Sequence, residues 1–312
     1  MLDNINIIPL QQDLPPGVAV FDTNQTFGSH EEWLRFMKIF YDSGILGKAL
    51  QGPDPIFDNM PELLSCVEGR SYELSRDQEV NGKLTYRDPW ANDFFWHTDG
   101  ASWVGDEPPF LTGIYCKLAG DATPGFEILD SSCLYDDLRA EFGEEVLGAI
   151  GLEYRLSTTY RDFQPNLLRS GVFGRAMIER MCRQHNIKYS DSLDLGILIA
   201  AMAEYADEVD GVNNSFVRTI PMICRNPVSG RWGIHMDMGQ RTVVSKLVLE
   251  HIEVLRVARR ILVQGEIPID RIDIKPGRMI FFVREGTLHR AMPGNDRPRH
   301  LYIGHLATVN SS

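Results

Sequence analysis

Hydrophobic residues recur along this chain in two rhythms, and the predicted elements follow from them. Trp33, Phe36, Met37 and Phe40 fall at helical spacing behind Ser29, a good N-cap, so a helix is predicted over 30–41. Asp42-Ser43-Gly44 stops it, and Ile45-Leu46 opens another short apolar piece. Helical patterning returns over 61–67, after Ser131-Ser132 as a cap through 138, across 176–207, and over 247–262. Short apolar or alternating runs bounded by turn residues predict strands over 15–22, 110–118, 126–129, 216–224, 231–238, 279–283 and 301–306. Asn226-Pro227-Val228-Ser229-Gly230 reads as a hairpin turn, and Lys275-Pro276-Gly277-Arg278 and Arg284-Glu285-Gly286 as further turns. Residues 69–93 are polar and turn-rich and are expected to be a loop. Many short strands broken by helices predict a mainly β fold with flanking helices, a jelly-roll core in one domain over 1–312. The segment at about 160–210 is expected to be a helical insertion.

Composition narrows the class. With 312 residues, 43% of them hydrophobic, the chain can bury a large core. A formal charge of −12 argues against nucleic acid or an anionic membrane as partner, yet leaves room for a local arginine that grips an anionic small molecule. The five cysteines are odd in number and contain no C-x-x-C, which predicts reduced thiols and a cytoplasmic setting. Met1-Leu2-Asp3-Asn4 has neither a basic run nor an apolar core, so a secretory leader is not expected. No run approaches the roughly 20 apolar residues of a membrane span. Whether the chain forms a homo-oligomer is left open.

Chemistry concentrates after Asn92-Asp93-Phe94-Phe95-Trp96, where His97 and Asp99 stand two apart. On an extended strand both side chains leave one face, giving two thirds of a facial site for a divalent metal. A distant histidine would complete the 2-His-1-carboxylate set that non-haem Fe(II) oxygenases use. His289 is the candidate, just after a strongly apolar strand and a tight turn. Arg299, at the start of the last strand, could grip a carboxylate through two parallel hydrogen bonds, with Arg297 as the substitute. Such a set suits a 2-oxo acid chelated to the metal. A second His-x-Asp, His235-Met236-Asp237, competes for the role. It lies much closer in sequence to His289.

The motifs, in order, resemble the taurine dioxygenase family of Fe(II)/2-oxoglutarate-dependent oxygenases, within the clavaminate synthase-like group. The matching pieces are Trp96-His97-Thr98-Asp99, Asp106-Glu107-Pro108-Pro109, Gly120-Asp121-Ala122-Thr123, the stretch from Arg225 to Arg231, and Gly277-Arg278-Met279-Ile280-Phe281-Phe282 leading to His289 and Arg299. They span about 90–306. The resemblance implies a distorted double-stranded β-helix, or cupin-like jelly roll, with Fe(II), 2-oxoglutarate and O2 as cofactor and co-substrates. It implies His97, Asp99 and His289 as metal ligands, and Thr123 and Arg299 as 2-oxoglutarate contacts. The long interval from His97 to His289 fits this branch, whereas the short one from His235 fits the plant-type branch. The implied reaction is hydroxylation or desaturation of a small molecule, with an amino acid or a derived metabolite as the suggested substrate.

Three features depart from the family pattern. Asp121 replaces a usual glycine, Ile303 stands where a taurine-binding arginine would be, and the segment over 160–210 is long and helical. A sulfonate held by that arginine is therefore not expected. Trp103, Tyr160, Arg161 and His235 are candidates for substrate contact, while packing explains the first three equally well. Arg290, His300 and His305 are read as structural. The competing reading from another class is a jelly-roll protein that binds a metal or small acid without turnover.

Overall fold

A computed structural model describes residues 6–10, 13–50, 67–75, 79–80, 83–84, 96–99, 109–120, 125–155, 217–236, 242–244, 248–292 and 299–308. The first half runs β1 (Ile7–Pro9), β2 (Val18–Thr23), α1 (His30–Asp42), α2 (Ile45–Leu50), β3 (Val67–Ser75), β4 (Glu79–Val80), β5 (Lys83–Leu84), β6 (Pro109–Ala119) and β7 (Phe126–Asp130). There follow α3 (Ser131–Phe142), α4 (Glu144–Ala149), β8 (Gly151–Arg155), β9 (Val217–Pro221), β10 (Ile223–Arg225), β11 (Trp232–Ile234) and β12 (Thr242–Val244). The chain then runs through α5 (Val248–Gln264), β13 (Asp270–Ile272), β14 (Arg278–Val283), β15 (Thr287–Ala291) and β16 (Arg299–Thr308). The fold is mainly β with helices on its flanks.

The large sheet has the order β1-β2-β14-β6-β16-β3. Every pairing in it is antiparallel. Strict alternation gives this sheet two apolar faces. On β14, Met279, Phe281 and Val283 join a cluster with Trp33, Phe36, Met37 and Phe40 of α1. Ile280 and Phe282 instead join Phe126 and Ile128 of β7 and Ile272 of β13. The helix comes close because Gly113 and Gly304 pair across β6 and β16 and leave a hollow for Met37. A Cβ at Gly304 would sit 2.4 Å from Met37 Sδ.

The second layer is the sheet β13-β7-β15. Its hydrogen bonding continues beyond β15. His97 makes a two-bond bridge with His289, the Thr98 amide donates to the Met236 carbonyl, and the His235 amide donates to the Met222 carbonyl. The far face of this layer packs Trp96, Leu129, Leu288, Ile234 and Met236 against Leu134 and Leu138 of α3 and Val254, Leu255 and Ala258 of α5. Helices thus cover the outer faces of both sheets, and the inner faces meet.

Several expectations are corrected. Residues 67–75 form β3, an edge strand paired with β16 from Ser75–His300 to Val67–Thr308, where a loop was expected over 69–93. An edge strand needs only one ladder of partners, so its polar sequence carries little apolar signal. Asp130 caps α3 by accepting from the Ser132 amide, and Ser131 and Ser132 lie inside the first turn. The single strand expected over 216–224 is two, because at Met222 the backbone leaves β8 and takes β11 as partner. Ser29 caps α1 as expected, accepting from the Glu32 amide at 3.2 Å. Val67, the last residue of the helix predicted over 61–67, opens β3 instead, and the rest of that segment and the helical insertion over about 160–210 lie outside the described residues.

Candidate metal centre

His289 is the middle residue of β15, paired with Ile128 of β7. The turn that feeds it requires Gly286, whose φ is +86° and where a Cβ would lie 2.4 Å from Asn226. His97 is a single bridge residue instead of part of a longer strand, and Asp99 lies in the bend that follows. Leu288, Trp96 and Met236 point to the helix-covered face, so the alternating residues His289, His97 and His235 project from the opposite one.

Three side chains converge there. His97, Asp99 and His289 each offer a donor atom, all within 4.8 Å of one another. Asp99 Oδ1 lies 3.6 Å from His97 Nε2 and 3.7 Å from His289 Nε2, and the two imidazole rings are 4.3 Å apart. The side chains are only 17%, 13% and 6% exposed, for His97, Asp99 and His289 respectively. Phe282 packs its ring 4.5 Å from that of His289. On the far face Trp96 carries the Arg290 guanidinium over its ring at 5.0 Å, and Arg290 Nε donates to buried Glu127 at 2.6 Å. That cluster ties the short bridge segment to β15.

Burial sets the electrostatics. It would raise the Asp99 carboxyl, but His289, His97 and His305 outweigh it and hold Asp99 far below the usual carboxylate range. Burial pushes the His289 imidazole down to about 3, against the pull of Asp99. At neutral pH the set therefore includes a neutral imidazole at His289 and an ionised carboxylate at Asp99. His305, on the inner face of β16, shares a hydrogen bond of 3.0 Å with Thr112 and is also lowered by burial.

The other sequence candidates fall as follows. Thr123, Trp103, Tyr160, Arg161 and Asp237 lie outside the described residues. Arg299 opens β16 opposite Ala119, and its side chain is not among those described. His235 is 3% exposed and does not join the three-residue cluster. Its Nδ1 donates to the Pro221 carbonyl at 3.2 Å, and its Nε2 has no hydrogen-bond partner among the described residues. Burial, then the nearby Arg284 charge, pushes it down to about 3. Two residues beside the centre were not singled out for it from sequence. From sequence His305 reads only as structural, and Arg284 only as part of a turn. A lone arginine closing the apolar run Met279–Val283 was the one available signal.

No family model and no curated protein matches this chain. Its structure is similar to a taurine dioxygenase from Burkholderia xenovorans, with a TM-score of 0.50 at 16% identity over 98% of this chain and 91% of the other. It is also similar to AAD-2 in complex with Mn(II) and N-oxalylglycine, with a TM-score of 0.55 at 15% identity over 94% and 84%. At these identities the likeness is one of fold. Among the described residues no helix is long and apolar enough to cross a membrane.

Proposed function

We propose that the chain is an Fe(II)- and 2-oxoglutarate-dependent dioxygenase of the taurine dioxygenase kind, a single jelly-roll domain that oxidises a small molecule. The observation that carries this reading is the convergence of His97, Asp99 and His289 on one nearly dry point between the sheets. The donors fit such an ion. Two ligands each about 2.1 Å from one metal lie roughly 3–4 Å apart, as the carboxylate and each imidazole do here. A neutral 2-His-1-carboxylate face also leaves coordination positions for a chelating co-substrate.

Bound iron would supply the activation of dioxygen, coupled to oxidative decarboxylation of 2-oxoglutarate to succinate and carbon dioxide. The protein's own part is binding, charge and exclusion of water. His289 stays unprotonated and Asp99 stays ionised across the neutral range, so neither has to lose a proton before a cation binds. Arg299 would take the far carboxylate of 2-oxoglutarate through paired hydrogen bonds, with Thr123 binding the same carboxylate. Phe282 screens His289 from water on the large-sheet side. His235 projects from the same sheet face with an Nε2 lone pair, which suits a donor group on the organic substrate. An amino acid or a derived metabolite is the substrate class we put forward.

Anaerobic titration with Fe(II) and 2-oxoglutarate tests the reading. A weak visible charge-transfer band is expected, absent in His97→Ala. No band in protein shown to hold Fe(II) overturns the proposal. A band without succinate release in air, across a panel of amino acids and small metabolites, favours the non-catalytic binding protein instead.

A further inference from the structure

The sheet holds two of the three ligand candidates' neighbourhoods by main-chain bonds and hands the third to a side chain. His97 is fixed by both bonds of its bridge to His289, at 3.0 and 3.1 Å, and Thr98 donates to Met236 at 2.8 Å. Asp99 lies in the bend beyond them, and its carbonyl accepts from Arg284 Nε at 2.9 Å. The Arg284 side chain is 1% exposed. Its own backbone is tied down, with its amide donating to the Phe110 carbonyl at 2.8 Å and its carbonyl accepting from Thr287 at 3.5 Å. Arg284 follows β14 directly and begins the turn through Gly286 into β15. One side chain therefore joins the segment that carries Asp99 to the turn that launches His289.

We propose that Arg284 is a positioning residue for the metal centre, holding the Asp99 carboxylate in place through the backbone carbonyl of the same residue. The inference rests on the metal-site reading above. Rotation about the Asp99 N–Cα bond would swing its Cβ and its carbonyl together and carry the carboxylate away from the two imidazoles, and the Nε bond to that carbonyl opposes the rotation. The guanidinium suits the task because its fork is rigid, with Nη1 on Glu285 Oε1 at 3.2 Å while Nε reaches the carbonyl. A lysine has no donor at the Nε position and cannot reproduce both bonds. Partners that orient metal ligands from outside the coordination sphere are typically worth roughly 10- to 100-fold in metal affinity.

Cobalt(II), whose visible spectrum reports ligand geometry, is the probe. Wild type, Arg284→Lys and Arg284→Gln are titrated with Co(II) at a temperature where circular dichroism shows each folded. Both variants are expected to bind roughly 10- to 100-fold more weakly and to show an altered d–d spectrum. Folded variants with wild-type affinity and spectrum overturn the proposal and leave Arg284 as a tie that only stabilises the fold. If neither variant folds, hydrogen exchange on the wild type decides. Co(II) should slow exchange at the Arg284 and Thr287 amides, and unchanged rates there refute the coupling. Failure of the wild type itself to bind Co(II) is a different result, which removes the metal-site reading and this inference together.

Discussion

The two faces of the large sheet are both buried, yet they carry different chemistry. Toward α1 the contacts are largely aromatic. Phe21 meets Phe40 edge-on at 5.1 Å, Phe27 meets Tyr115 at 4.7 Å, and Trp33 lies against Phe281 at 5.6 Å. Toward the second sheet the same strands present Val18, Val20, Ile114, Ile280 and Ile303, and then the polar pair Thr112 and His305 close to Asp99. Apolar area removed from water stabilises at about 25 cal/mol per Å², whereas a buried charge costs unless it is paired. The helix-covered face therefore carries stability, and the inner face can hold a carboxylate among three imidazoles. One strand, β14, serves both, with Phe281 outward, Phe282 inward against His289, and Arg284 just past its end.

Substitutions that separate the faces should separate stability from metal binding. The largest effect is expected from Phe40→Ala, which empties a fully buried site and should cost about 3–5 kcal/mol. Urea denaturation would show that loss, while Co(II) affinity of the folded fraction stays at the wild-type level. Asp99→Ala should do the reverse, lowering Co(II) affinity by more than about a hundredfold without lowering the urea midpoint. Equal losses in both measurements for either variant would erase the distinction.

Gly304→Ala probes the seam between the faces. Its Cβ would press on Met37, an overpacking expected to cost about 1–3 kcal/mol in the same denaturation experiment, again with metal affinity preserved. The smallest effect is one of pH. The folded-state pKa of His235 is pushed to about 3, below the ordinary 6.5. Between those values the unfolded chain takes up a proton that the folded chain refuses. Stability from this residue is thus complete above 6.5 and is lost as pH falls toward 3. His235→Gln should flatten that decline by up to about 1.4 kcal/mol per pH unit, read from urea midpoints at pH 7 and pH 5.

Much of the layout is legible in the sequence where a period and a stop signal coincide. Ser29 before the Trp33-Phe36-Met37-Phe40 stripe marks α1, and the run Met279–Val283 marks β14. His97, Asp99 and His289 are legible as residue types with a chemical use, although nothing local says that they meet. That meeting depends on a bridge between distant segments, which composition does not encode. β3 was hidden because an edge strand can be polar, and β13 because three residues give too short a pattern. Arg284 was hidden for a different reason. Its neighbours in sequence describe a turn, and its partner at Asp99 is separated by 185 positions.

The bridge between His97 and His289 has an entropic consequence. Main-chain bonds close that very long loop during folding, at a cost that grows only with the logarithm of its length. Main-chain bonds thus hold His97 and His289 side by side, whereas the ligands of a zinc finger gather only around the metal. Stripping the ion with a chelator should leave the antiparallel sheets assembled, and restoring it should raise the melting temperature only by mass action.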